Sequence, residues 1–385
     1  MLRIRKAQAC RFLLRKNGLL GANGLRGKDG VLDYVQQAGC VQYDPVDLCG
    51  CSHELALLAR VKGFSRNMLQ ELLYTDRALI DFFDKNMCIM LREDWPSLNF
   101  LRENFRRSAR SHGEMEKQVF ALIRQRGSLT AQELDAALGI ANGRAVLEML
   151  YFRGDLVIHH QTAATRSYAL ASDCLPEALL KAPDPFADER QRQMWQVMRR
   201  IGAVGMLWNG PSDAWLGVEG LNAQARNEVF YALMQLGVIV PLEVEGVSHP
   251  LFMLREDLPL LMNCQEPQSN DRRARLLPPL DCMLWDRRLI TELFGFTYKW
   301  EIYTPEDQRR YGCYVLPVVW GEGFAGRVEP ICDRAQDALV IRHFWPEEGM
   351  RASDRFLWAL EDALDELRRF NGLSRLVWAE GWLTG

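Results

Sequence analysis

The sequence predicts an α+β protein: three tandem winged helix-turn-helix domains followed by a C-terminal β-barrel-like domain. Three observations carry that expectation. Between Glu114 and Leu170, three short helical periods lead into a two-stranded hairpin. The same order recurs from Met194 to Leu254 and, in a longer form, over the N-terminal third. Beyond Leu276 helical spacing gives way to β-branched and aromatic runs. The boundaries follow as 1–112 for the first winged helix with a basic connecting helix, 113–180, 181–268, and 269–385 for the barrel.

In the first unit, helices are expected near 5–16, 29–38, 52–61 and 65–73. Leu79 to Phe83 and Cys88 to Leu91 then flank the turn Asp84-Lys85-Asn86, and Arg102 to Arg110 forms the basic connecting helix. In the second, Met115, Val119, Leu122 and Ile123 make one apolar stripe that stops at Gly127. Thr130 and Glu133 form a capping box, and a third helix carries Val146, Leu147, Leu150 and Tyr151. Leu156 to His160 and Ser167 to Leu170 complete the hairpin.

The third unit has one helix marked by Met194, Val197, Met198 and Ile201, and another by Val229, Phe230 and Leu233. Its hairpin is Val238 to Leu242 with Phe252 to Leu254. For the barrel, Phe294 to Tyr303 alternates, Tyr311 to Trp320 is apolar, and Phe324 to Val328 and Ala338 to Phe344 continue the pattern. A helix from Ser353 to Phe370 and a strand from Leu376 to Ala379 close the chain.

At 385 residues, 48% hydrophobic and 25% charged, the chain has the composition of a globular protein too long for one domain. Neither an apolar core of signal-peptide length after Met1 nor an 18-residue apolar run is present, which leads us to expect a cytoplasmic protein. The ten cysteines include no C-x-x-C pair, so reduced core thiols and no metal or other cofactor are expected. A net charge of −3 gives no global basic bias. A DNA-binding face requires only local basic groups, and Arg106-Arg107 with Arg110, and Arg309-Arg310, supply them.

The most informative stretch is Cys40-Val-Gln-Tyr-Asp-Pro-Val46. In extended backbone, Gln42 and Asp44 project from one face, and Pro45 keeps Asp44 out of helical geometry. A carboxylate to activate water and an amide to orient it would suffice for hydrolysis. The same two residues also suit a turn and a cap, because Asp before Pro commonly closes a local loop.

With these parts assembled, the chain resembles the AlkZ/YcaQ-type DNA glycosylases. The resemblance rests on Val41-Gln-Tyr-Asp-Pro45, on Asp76 to Ile80 leading into Phe82-Phe83, and on Leu277-Pro-Pro-Leu-Asp281 with Leu284 to Arg287. It rests most specifically on Arg309-Arg-Tyr-Gly-Cys-Tyr-Val-Leu-Pro317 with Trp320-Gly321 and Gly326 to Val328, similar to the family's barrel hairpin. The family removes N7-alkylated purines from DNA, and some members unhook interstrand crosslinks. Its motif is Gln, an apolar or aromatic residue, then Gln or Asp, and the resemblance makes Gln42 and Asp44 the catalytic pair.

It also implies double-stranded DNA carrying alkylated bases as partner, a monofunctional monomeric enzyme, and a duplex held by Arg309, Arg310 and Tyr311, with Arg107 and Arg110 on the backbone. A reading from another class is a non-enzymatic winged-helix transcription regulator, in which Gln42 and Asp44 cap a helix. A regulator would dimerise on a palindrome and prefer one sequence.

Overall fold

Side-chain caps and glycine stops divide the chain into short helices separated by small sheets, described here from a computed structural model over residues 1–21, 24–108, 113–162, 165–267 and 273–383. Arg110 lies outside the described residues. Strand β1 (Leu2–Ile4) precedes helices Lys6–Lys16 and Gly27–Ala38. Strand β2 (Val41–Gln42) follows, then helices Ser52–Leu58 and Arg66–Gln70, the latter continuing as a π-turn over Glu71–Thr75. The hairpin of β3 (Leu79–Asp84) and β4 (Asn86–Leu91) completes a sheet in the order β2-β4-β3. Asn86, at φ 75°, takes the left-handed conformation that this tight reversal requires.

The second unit repeats the pattern. Helix Gly113–Arg126, β5 (Leu129–Thr130), helices Ala131–Leu138 and Gly143–Phe152, then β6 (Leu156–Gln161) and β7 (Arg166–Leu170) give the sheet order β5-β7-β6. The capping box forms as expected: Thr130 Oγ1 accepts from the Glu133 amide, and the Glu133 carboxylate accepts from the Thr130 amide at 2.7 Å. In the third unit, helix Glu189–Val204, β8 (Leu207–Trp208), helix Ala223–Gln235, β9 (Ile239–Val244) and β10 (Leu251–Leu254) follow in the same way. Its sheet gains the chain's first strand, with β1 running parallel to β9 and Leu2 opposite Leu242.

These units share one apolar core that runs from Ile4 to Val319. Close packing shows at Gly217, where a Cβ would sit 2.1 Å from the Asp84 carbonyl oxygen on the β3–β4 turn. Arg199 and Arg200 of the third unit reach the Asp84 carboxylate across the same contact.

The C-terminal part differs from expectation in two ways. Strands β11 (Arg275–Leu276), β12 (Leu316–Trp320), β13 (Gly323–Asp333), β14 (Ala338–Pro346) and β15 (Arg375–Trp378) form an open sheet in sequence order, with β11 and β15 at its edges; among the described residues no sheet closes into a barrel. Closure would require the edges to meet. Instead β11 is two residues long, and helix Asp354–Phe370 buries Phe356, Leu360, Leu364 and Leu367 in the sheet's own core before β15 adds in parallel to β14.

The second difference is the alternating run Phe294 to Tyr303, which forms no strand. Its aromatic residues dock one by one: Phe296 stacks on Phe324 at 4.2 Å, and the Tyr298 hydroxyl donates to the Val315 carbonyl at 2.8 Å.

Candidate active site

The segment from Val41 to Cys51 lies where three parts of the molecule meet. Strand β2 pairs antiparallel with β4, Val41 opposite Ile89 and Gln42 opposite Cys88. The Tyr43 amide still donates to the Met87 carbonyl at 2.9 Å. Pro45 has no N–H to continue the ladder, so the chain peels away. It is then caught by the C-terminal part: the Cys332 amide and the Tyr314 hydroxyl donate to the Leu48 and Gly50 carbonyls at 2.9 and 3.2 Å. Asn371 donates to the Cys49 carbonyl at 2.8 Å. Tyr43 itself reaches the second unit, its hydroxyl bonded to the Gln161 side-chain amide.

Gln42 is 7% exposed, and its Oε1 is buried without a protein partner. An amide held in that condition requires a donor, such as a water. Asp44 is half-buried, and one of its oxygens accepts from the Val46 amide at 2.8 Å in a local turn. Burial pushes its carboxyl up from the ordinary value, against the opposing pull of that N–H. Its charge acts on the Cys51 thiol, a lining residue of an adjoining cavity.

Two cavities flank Tyr43. The one toward the second unit, about 370 Å3, is lined by Arg144, Gln161, Arg166 and Tyr168 along with Tyr43 and Pro45. The other, about 320 Å3, lies between Tyr43 and the first unit's helices and is lined by His53, Arg66, Gln70 and Asp81 among others. His53 stacks on Tyr43 at 4.6 Å. Burial first, and then the charge of Arg66, pushes the His53 imidazole down to about 3, so it is neutral at ordinary pH. Its Nδ1 is buried without a partner, as is Gln70 Oε1. Burial pushes the Asp81 carboxyl up to about 6 even though Arg166 and Arg77 pull it down.

The AlkZ-like DNA glycosylase model matches residues 35–370. The chain belongs to that family. Among solved structures, the Streptomyces sahachiroi DNA glycosylase AlkZ has the same fold, at 18% identity, with each chain wholly covered and a TM-score of 0.65.

The basic residues expected at the DNA are dispersed. Arg309, Arg310 and Tyr311 lie in a loop after the turn Glu306–Gln308, outside the strands. That loop is folded around Glu301, whose carboxylate accepts from the Arg310 and Tyr311 amides at 3.1 and 2.9 Å. Arg309 Nε donates to the Thr304 carbonyl at 2.9 Å, whereas the Arg310 side chain is exposed and lies over the Tyr311 ring at 5.0 Å. Arg107 is exposed near the end of helix Asn99–Ser108. Asp281 and Asp286 join parts of the molecule: Asp281 binds Arg60 through both oxygens, and Asp286 accepts from the Trp208 indole at 2.8 Å.

Among the described residues no cluster of His, Cys, Asp and Glu is arranged to hold a metal, and no helix is long and apolar enough to cross a membrane. Sequence reading reached Gln42, Tyr43 and Asp44 but missed His53, Gln70, Asp81, Gln161 and Arg166. Helix periodicity and hairpin pattern explain those five as ordinary element residues, and only the tertiary fold brings them around Tyr43.

Proposed function

We propose that this protein is a monofunctional DNA repair glycosylase that hydrolyses the N-glycosidic bond of N7-alkylated purines, including those in interstrand crosslinks, and that Gln42 and Asp44 are its catalytic pair. Family membership supports the enzyme class. The observation that carries the residue assignment is the buried, unpartnered Oε1 of Gln42 two positions before a half-buried carboxylate, in a segment clamped from three sides.

N7-alkylation makes the purine cationic and hence a good leaving group. The C1′–N9 bond breaks with its electron pair going to N9, which neutralises the ring and leaves an oxocarbenium-like sugar, as in glycoside hydrolysis. Asp44 faces that cation and takes a proton from the attacking water, whose oxygen bonds to C1′. Gln42 orients the water through Oε1. The raised affinity of Asp44 for a proton brings it closer to the working range of a general base.

The three helix-and-hairpin units act as tandem winged helices that carry the duplex, with Arg310 and Arg107 as exposed phosphate contacts and Arg309 and Tyr311 shaping the loop. The protein works as a monomer on cytoplasmic DNA.

Duplexes carrying N7-methylguanine or a nitrogen-mustard crosslink are the test. Release of free alkylbase by the wild type, lost in Asp44→Asn and Gln42→Ala that still fold, is the expected result. Equal binding of damaged and undamaged duplex without base release would identify a DNA-binding regulator instead.

A further inference from the structure

We propose that the cavity between Tyr43 and the second unit binds a phosphodiester of the DNA backbone, with the Arg166 guanidinium as its principal ligand. The inference rests on the glycosylase reading only in taking DNA as the partner, and it adds a binding site to that reading.

Three elements enclose most of this space of about 370 Å3. Helix Gly143–Phe152 contributes Arg144 and Glu148, the β6–β7 hairpin contributes Arg166 and Tyr168, and the segment of the candidate pair contributes Tyr43 and Pro45. Gln42 and Asp44 do not line it, and no reacting atom is placed there: the site holds the strand and not the base. Arg166 is half-buried and firmly aimed. Its Nε donates to Gln161 Oε1 at 3.0 Å, the Gln161 amide nitrogen is bonded to the Tyr43 hydroxyl, and the guanidinium lies 5.9 Å from the Tyr43 ring centroid. Among the described residues it forms no ion pair. The one acid of the described lining, Glu148, is engaged by Arg144 at 2.9 Å, and Asp81 acts on Arg166 only through longer-range charge.

Charge decides what such a space receives. Two cations, Arg144 and Arg166, stand against one carboxylate in the described lining, an excess of one positive charge. An N7-alkylated base is cationic and is repelled by that excess. A phosphodiester is anionic, and its oxygens match the planar fork of a guanidinium. The rest of the wall supplies neutral donors. The Tyr43 hydroxyl accepts from Gln161 and so keeps its own proton to donate. Burial raises both Tyr43 and Tyr168 above the ordinary tyrosine value against the pull of Arg166, so both hydroxyls stay protonated beside a bound anion.

The test is binding to a short duplex with a central tetrahydrofuran site, which mimics the product and has no base to release, followed by fluorescence anisotropy across a salt series. Arg166→Gln is expected to bind about tenfold more weakly, the worth of one hydrogen bond to a charged group, and to lower the slope of log affinity against log salt by about 0.9. Arg166→Lys keeps the charge and should keep the slope, whereas a residue that only braces Gln161 would lose as much in either variant. Glu148→Gln removes the acid from the lining and should tighten binding about threefold, an outcome that misfolding cannot imitate. A neutral methylphosphonate, walked along the damaged strand one linkage at a time, should weaken wild type at one or two linkages and have no effect there on Arg166→Gln. An unchanged slope for Arg166→Gln, equal slopes for its Gln and Lys variants, binding by Glu148→Gln no tighter than wild type, or a methylphosphonate scan without such a linkage would overturn the proposal. Failure of wild type to bind duplex DNA at all would instead overturn the glycosylase reading.

Discussion

The hydroxyl of Tyr43 is hydrogen-bonded to the side-chain amide of Gln161, 118 residues away on the hairpin of another unit. Gln161 in turn accepts from Arg166 Nε at 3.0 Å through its carbonyl oxygen. The residue between Gln42 and Asp44 is therefore held by a chain of side chains rather than by its own loop. Tyr43→Phe and Gln161→Ala should each slow base release, with a stability cost of about 1 kcal/mol, the usual net worth of one hydrogen bond. Because both remove the same link, the double variant should be no slower than the worse single one. Single-turnover rates of the four proteins decide the matter: multiplicative effects would mean that the two residues act independently.

Arg60 and Asp281 form a buried bidentate ion pair, both bonds 2.7 Å and both side chains fully enclosed. It joins the helical part to the segment that leads toward the C-terminal sheet. Removing one partner leaves the other charge in a medium that cannot solvate it, so Asp281→Asn should destabilise by about 3–5 kcal/mol. Replacing both with apolar residues, Arg60→Met with Asp281→Leu, should recover much of that loss. Urea denaturation monitored by tryptophan fluorescence measures both; a double variant as unstable as the single one would contradict this account of the pair.

Much of the fold was legible because local rules decided it. Thr130 and Glu133 cap a helix by contacts within four residues, and the two apolar runs Leu79 to Phe83 and Cys88 to Leu91 need only a tight reversal between them to make a hairpin. Alternation misled at Phe294 to Tyr303. There the aromatic residues satisfy their burial against Phe324 and the Val315 carbonyl without backbone pairing, so periodicity was present and a strand was not. The barrel was over-read for a related reason: strand count says nothing of whether edges meet, and helix Asp354–Phe370 covers the sheet that would otherwise curl. At the candidate site, Gln42 to Asp44 could be singled out as neighbours in sequence. His53, Asp81 and Gln161 could not, because nothing local distinguishes a buried histidine that stacks on Tyr43 from one that fills a core.

Arg310 and Arg309 differ in availability despite being adjacent. Arg310 is exposed, whereas Arg309 is half-buried with its Nε engaged at the Thr304 carbonyl. If Arg310 neutralises one phosphate, Arg310→Ala should reduce the slope of log affinity against log salt by about 0.9 on duplex DNA. Arg309→Ala should reduce it by less. Fluorescence anisotropy across a salt series measures both slopes, and an unchanged slope for Arg310→Ala would remove this loop from the DNA-binding surface.

Asp81 links the candidate site to stability. Its carboxyl is pushed up to about 6 by burial, against the pull of Arg166 on β7 and of Arg77, with the tyrosines 74, 151 and 168 also around it. In the unfolded chain an aspartate titrates near about 3.9, so between roughly pH 4 and 6 the folded state binds more protons than the unfolded one. Stability attributable to this group therefore falls as pH rises through that window, and the whole penalty is present above about pH 6. Asp81→Asn removes the titration. It should stabilise the protein by on the order of 2 kcal/mol at pH 8, with the difference shrinking toward zero near pH 4. Denaturant midpoints of the two proteins at both pH values provide the measurement. A gain at pH 8 would show a buried charge kept at the expense of the fold; a loss of stability at pH 8 would show instead that Asp81 is a structural partner of Arg166 or Arg77.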